Sequence, residues 1–333
     1  MQDQFEELLS NYFQQPIYEI ETVPFGLTNV TRIVKINGEN YILRIYNLHT
    51  KHIESIELES KITTFLSQGS LSFQVPVFIP TRTGDRFVRL SDGSLGAVVS
   101  YLDGSIHHIS NIEDAAEIGR VAGEITHALR QCDINQLNYS GISFSDMYRL
   151  HPLANRQAIA AFMENPSFHI PESSLDFYHE MVVSIDMNAC KLKELPVQLV
   201  HHDLLIFNLL SQNNRICGVL DFDFLSLDTS FMEFTICLNH ILQMTDGSME
   251  MAEAFVKSYS VYRKHTLLEL EQLQNLTQVY HLAVLHIYVG QHNAGVDIEQ
   301  NFNYILKQFI TRNEWLNKHR IEVQQMLVYY LVE

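Results

Sequence analysis

The hydrophobic pattern of the chain changes near residue 104, and this change constrains the fold more than any other feature. Before it, short alternating runs are broken by turn residues. After it, long stretches repeat apolar residues at helical spacing. Strands first and helices later predict an α+β fold in two lobes, at residues 1–102 and 103–333. Within the first part, 3–14 reads as an amphipathic helix and 17–23 as a strand. Residues 31–36 and 40–46 flank Asn37-Gly38, a dipeptide that favours a tight hairpin because both residues accept positive φ. Residues 52–68 carry Ile53, Ile56, Ile62, Phe65 and Leu66 at helix spacing. A second hairpin, 86–90 with 95–102, turns at Asp92-Gly93-Ser94. The expectation is an antiparallel sheet of about five strands with one inserted helix. Beyond it, helices are predicted over 112–131, capped by Ser110 or Asn111, and over 174–193. A β-like island at 197–224 follows, and helical period resumes from 229 to the end.

Charge narrows the function classes. Lys plus Arg number 22 against 39 Asp plus Glu, a formal net charge of -17. Such a chain is a poor ligand for phosphate backbones and anionic membranes, so neither nucleic acid nor membrane is an expected partner. No apolar run approaches a membrane span, and the acidic start does not read as a signal peptide. Cys132, Cys190, Cys217 and Cys237 form no C-x-x-C and read as free thiols in a cytoplasmic protein. The acidity weakly favours cationic partners.

The island carries the chemistry. It reads Leu199-Val200-His201-His202-Asp203-Leu204-Leu205-Ile206-Phe207-Asn208, then Leu220-Asp221-Phe222-Asp223-Phe224 after a polar stretch at 212–215. Asp203, Asn208 and Asp221 stand among apolar neighbours, where a carboxylate is costly unless paired or bound to metal. A hairpin centred between Asn214 and Arg215 places Asn208 opposite Asp221, close enough for one divalent cation to touch both. Alternation along a strand puts Asp221 and Asp223 on one face. The spacing D-x-x-x-x-N fits phosphoryl transfer. The Asp orients the attacking hydroxyl, while the Asn and a second Asp hold Mg²⁺ on the phosphates.

His201-His202-Asp203, Asn208 and Leu220-Asp221-Phe222 together resemble the signature of the aminoglycoside phosphotransferase-like family, which has the protein-kinase fold. Thr235-Ile236-Cys237-Leu238-Asn239 draws the likeness toward its homoserine kinase-like branch. The resemblance implies Asp203 as catalytic base, His201 as the residue orienting its loop, and Asn208 and Asp221 as Mg²⁺ ligands. There are departures: His202 replaces the common Gly, Leu205-Ile206 the frequent His-Pro, and Glu233 a frequent Asp.

The same frame assigns nucleotide contacts in the first lobe. Gly26, Thr28 and Asn29 would lie over the phosphates of ATP or GTP. Arg44, in place of the usual Lys, would be the strand cation. Glu59, rather than Glu57, would hold it from the helix. Ser100, Tyr101 and Leu102 would meet adenine at the hinge. The implied activity is transfer of a γ-phosphoryl to a hydroxyl of a small acceptor, an amino alcohol such as homoserine or an aminoglycoside.

Other readings stay open. Taken alone, Arg44 reads as a surface strand residue and Glu59 as a solvated one. A kinase-like protein could bind nucleotide or a partner without catalysis. A metal-dependent phosphohydrolase could use the His201–Asp203 cluster, although no H-E-x-x-H or Cys cluster completes a zinc site. His107-His108 and His127 read as structural. Walker A, G-x-S-x-G and G-x-G-x-x-G patterns are absent. Neither the acceptor nor the oligomeric state is readable.

Overall fold

A computed structural model describes residues 2–23 and 29–332. Its first part is a helix, α1 (Gln2–Tyr12), followed by β1 (Tyr18–Thr22), β2 (Val30–Ile36) and β3 (Glu39–Ile45). Helix α2 (Ile53–Ser67) and strands β4 (Val88–Arg89) and β5 (Leu95–Ser100) complete it. The five strands form one antiparallel sheet in the order β1-β2-β3-β5-β4. Asn37 and Gly38 turn the β2–β3 hairpin with φ of 51° and 91°, the geometry their small or flexible backbones allow. The second hairpin is shorter than its sequence suggests: only Val88–Arg89 pairs with β5.

Alternation divides the sheet. Leu43, Ile45 and Val98 face Phe5, Leu8 and Leu9 of α1. On the other side, Ile42 and Tyr46 join Ile56 of α2, and the same periodicity sends Arg44 there. Thus one strand delivers a cation to the face that looks toward α2.

The second part is mainly helical. Strand β6 (Ser105–Ile106) precedes α3 (Ile112–Arg130), whose N-terminus is capped by Asn111 accepting from Asp114 N–H. Helices α4 (Arg156–Glu164) and α5 (Glu172–Leu192) follow. The 197–224 island is divided between two small sheets. Strand β7 (Val197–Val200) pairs with β10 (Ser226–Thr229). Strands β8 (Leu209–Gln212) and β9 (Arg215–Val219) pair with each other, and β8 with β6. Helices α6 (Met232–Met244), α7 (Met249–Tyr259), α8 (Leu267–Glu271), α9 (Leu273–Asn293), α10 (Glu299–Lys318) and α11 (Arg320–Leu331) end the chain. Gly119 and Gly123 let α3 lie almost against the α7 backbone, because a β-carbon at Gly119 would sit 2.2 Å from Phe255 O.

The two parts are stitched together. Leu58, Ile62 and Leu66 of α2 share a core with Ile118, Leu199 and Val219. Gln74 N–H donates to Cys217 O at 2.8 Å, and Val219 N–H to Gln74 O at 2.9 Å. Among the described residues no helix is long and apolar enough to cross a membrane.

Candidate active site

The strand β7 ends at Val200, and the loop that follows is held from three sides. His201 N–H donates to Glu233 on α6 at 2.6 Å. His201 Nε2–H donates to Leu220 O at 3.1 Å, while Nδ1 accepts from Asp203 N–H at 3.1 Å. Burial pushes the ring down to about 3, so it is neutral and needs only one donor, which is the tautomer these partners require. His201 thereby ties the Asp203 backbone to the residue preceding Asp221. Asn208, at the end of the 3₁₀ turn Ile206–Asn208, donates through Nδ2 to Asp203 O at 2.9 Å and to Asp203 Oδ2 at 2.7 Å. Its side-chain oxygen is left for another partner.

The register differs from the sequence expectation. Asn213 and Asn214, both at positive φ, make a two-residue turn, so Gln212 faces Arg215. An irregularity between Leu210 and Ser211 then brings Leu209 opposite Val219. Asn208 consequently faces Leu220, whose N–H donates to Asn208 O at 2.8 Å. Asp221 is outside β9 and adopts φ 62°, a left-handed conformation that aspartate tolerates. Asp221 and Asp223 are therefore neighbours through a turn rather than through strand alternation, with Asp223 N–H 3.4 Å from Asp221 Oδ1.

From the sheet, Arg44 donates to Glu59 at 2.6 Å and reaches within 3.8 Å of Asp221 and 3.7 Å of Asp223. Glu57 is exposed. Burial works against the Arg44 charge, but Glu59, Asp221 and Asp223 outweigh it and hold the guanidinium protonated. Lys51, which the sequence reading did not assign, and Asn29, which it set over the phosphates, complete the cluster. Lys51 Nζ lies 3.6 Å from Asp223 Oδ1 and donates to Asp223 O. Asn29 donates through Nδ2 to Asp223 and accepts from Asn47 N–H at 3.1 Å. Lys51 and Asp223 meet only through tertiary folding, and no local spacing announces it.

Gly26 and Thr28 lie outside the described residues. Where the sequence places the hinge, Ser100 N–H donates to Val77 O and Ser100 Oγ accepts from Val77 N–H, both at 2.9 Å. Val77 thus takes both groups, and Tyr101 and Leu102 follow beyond the strand, with Leu102 against Gly218.

Charge balance at this cleft is uneven. Among the described residues, Arg44 and Lys51 are the cations that reach the acids Glu59, Asp221 and Asp223, with Asp203 beside them. Burial, then the Asp221 charge, push Asp203 well above the usual carboxylate range. Loss of solvation and Asp223 likewise push Asp221 up. A divalent cation would relieve this repulsion, and the Asn208 and Asp221 oxygens are the hard ligands that Mg²⁺ takes. Among the described residues no group of three or more His, Cys, Asp or Glu could hold a metal by itself. That donor set suits a metal shared with phosphates and offers nothing to a zinc centre. A concavity of about 530 Å³ beside Glu57, Lys61, Asp85 and Arg86 includes none of these acids. Chemistry rather than volume locates the site.

The chain is similar to known kinases in sequence and in fold. Residues 19–269 match the Phosphotransferase enzyme family. A homoserine kinase of Parvibaculum lavamentivorans is 22% identical over 284 residues, covering 83% of this chain and 81% of that protein. The solved structure of a microcompartment-associated aminopropanol kinase superposes with a TM-score of 0.71 at 16% identity, covering 95% of this chain and 96% of that one. An amicoumacin kinase in complex with AMP-PNP, Ca²⁺ and Ami superposes with a TM-score of 0.67 at 18% identity, over 95% and 92%. With a sheet-built lobe over a helical one and three quarters of its length matched, the chain belongs to the Phosphotransferase enzyme family and has its protein-kinase-like fold.

Proposed function

We propose that this phosphotransferase moves the γ-phosphoryl of ATP or GTP to the hydroxyl of a small, amine-bearing acceptor, with Mg²⁺ as cofactor. Residues 1–102 form the nucleotide-binding lobe in this reading, and 103–333 carry the catalytic loop and the acceptor site. The observation that carries it is the joining of Asp203 to Asn208 at 2.7 Å beside a buried Arg44–Glu59 pair that also reaches Asp221. A magnesium ion on Asn208 and Asp221, when bound, neutralises charge on the phosphates.

The chain's own groups do the rest. Asp203 accepts the hydroxyl proton as the acceptor oxygen bonds to phosphorus and the bond to the β-phosphate oxygen breaks. His201 stays neutral and fixes the loop. Arg44, steered by Glu59, meets phosphate oxygens, as an always-charged guanidinium can. By the family resemblance, Gly26, Thr28 and Asn29 would contact the phosphates, and the backbone after Ser100, at Tyr101 and Leu102, would meet adenine. The names of the related kinases and the net charge of -17 support an amino alcohol, homoserine-like, over an anionic acceptor.

A screen of hydroxylated amines read by ADP formation tests the reading. Acceptor-dependent ADP release is expected. Nucleotide binding with no acceptor phosphorylated would favour a non-catalytic binding protein instead. Asp221→Ala is expected to weaken Mg²⁺-nucleotide binding more than metal-free nucleotide binding in calorimetric titration. Equal losses would mark structural damage. Lys51→Met is expected to raise the nucleotide KM by about 10-fold or more, the scale of one charge-assisted hydrogen bond of roughly 1.5–3 kcal/mol. An unchanged KM would restrict Lys51 to holding Asp223.

A further inference from the structure

His202 stands where the family commonly has glycine, and its backbone shows why glycine is common: φ is 68°, a left-handed value. A side chain kept there needs compensation, and the ring finds it in complete burial. Nδ1 lies 3.0 Å from Phe224 O and Nε2 lies 2.9 Å from Asp228 Oδ2. Both partners are acceptors. The Phe224 carbonyl has no proton to give. Asp228 already accepts from Phe144 N–H at 2.8 Å and from Thr229 N–H at 2.7 Å, so both of its oxygens act as acceptors. A neutral imidazole has one donor and one lone pair. Either neutral tautomer would aim that lone pair at an acceptor oxygen inside the protein. Ser226 Oγ also lies 3.5 Å from Nδ1, but at that distance it does not replace the 3.0 Å approach to the carbonyl, so the doubly protonated ring is the form that satisfies both Phe224 O and Asp228.

We propose that His202 is an imidazolium at neutral pH, clamped between Phe224 O and Asp228, and that it positions the Asp203 loop. The counter-charge is local: side chains of His202 and Asp228 are 0% and 2% exposed. Glu233 of α6 also faces it, while His201 beside it is neutral. Phe144 stacks on the ring with centroids 4.3 Å apart, adding a cation–π contact. Leu227 N–H donates to Ser140 O, so the 140–144 segment is fixed to β10 at a second point. That segment lines a cleft with Phe222, Asp223 and Phe224. The charged ring thus locks the loop of Asp203, the turn after Asp221 and this wall into one unit. A glycine would leave Asp228 buried without its counter-ion.

The effect on turnover rests on the kinase reading, but the charge state does not. Long-range ¹H–¹⁵N spectra of the full chain labelled with ¹⁵N-histidine read it directly, with His202 assigned by its contact to the Phe144 ring. Two protonated ring nitrogens are expected at neutral pH. One unprotonated nitrogen would overturn the proposal, even if ADP formation is normal. Asp228→Asn removes the counter-charge, so the ring should lose its second proton at a lower pH than in the parent. Because the protonated form is the competent one, kcat of this variant should fall by about tenfold per pH unit once that proton is lost, with nucleotide KM unchanged. The wild-type profile should be flat there. A flat Asp228→Asn profile would reject the positioning role, whereas a purely structural bond would give one. If no acceptor is found, the spectra still decide the charge.

Discussion

Asp203→Asn is expected to lower kcat about 10²–10⁴-fold, the usual contribution of a positioned general base. Nucleotide binding should survive. Asn keeps the oxygen that Asn208 Nδ2 now meets at 2.7 Å, so the loop retains that bond. The substitution also removes one of the acids that repel each other across the cleft, since the Asp221 charge is among the causes raising Asp203. The variant should therefore melt no lower than the parent. Three measurements separate the outcomes: ADP formation, nucleotide titration and a thermal melt. Turnover near that of the parent would remove Asp203 from the chemistry. A lowered melting temperature with the same loss of rate would show that the residue acts through the fold.

The elements that could be read from sequence are those with local causes. Asn37-Gly38 dictates its own turn, and the Asn111 cap starts α3. Apolar periodicity likewise recovers α1, α2 and α5 within about two residues, the ordinary uncertainty of helix ends. The site was legible where chemistry is exposed by contrast, as with Asp203, Asn208 and Asp221 among apolar neighbours. It was not legible where geometry depends on single-residue register. The polar stretch 212–215 contains the turn, but its centre falls between Asn213 and Asn214, one position earlier than expected. The Asn-Asn pair, tolerant of positive φ, was the available signal. Lys51 was invisible for another reason: its partner Asp223 lies 172 residues away.

Removing the strand cation should have the largest effect on stability. Arg44→Met takes the guanidinium away from Glu59, Asp221 and Asp223 and leaves Lys51 beside Asp223. Breaking a buried ion pair from one side costs roughly 3–5 kcal/mol, because the remaining charge is stranded. Glu59 has an escape: burial already pushes its carboxyl up to about 7 against the pull of Arg44, and without that pull it rises further. A protonated Glu59 is a tolerable buried group, so the penalty should depend on pH. The folded pKa exceeds the unfolded value, and the native variant binds more protons than the unfolded chain. Its stability should therefore be greatest below about 4.5, the unfolded value, and fall as pH rises toward and through the folded one. The mutational gap from wild type should accordingly widen toward alkaline pH. Denaturant unfolding of both proteins at several pH values measures this. Adding Glu59→Gln to Arg44→Met should recover more than about 1 kcal/mol, since neighbours in one ionic network are not additive. Arg44→Lys, which restores the residue usual in the family, should recover part of the loss while forfeiting the fork that spans Glu59 and the two aspartates. A gap independent of pH, with no gain from Glu59→Gln, would mean that Arg44 contributes packing alone and that the acids do not depend on its charge.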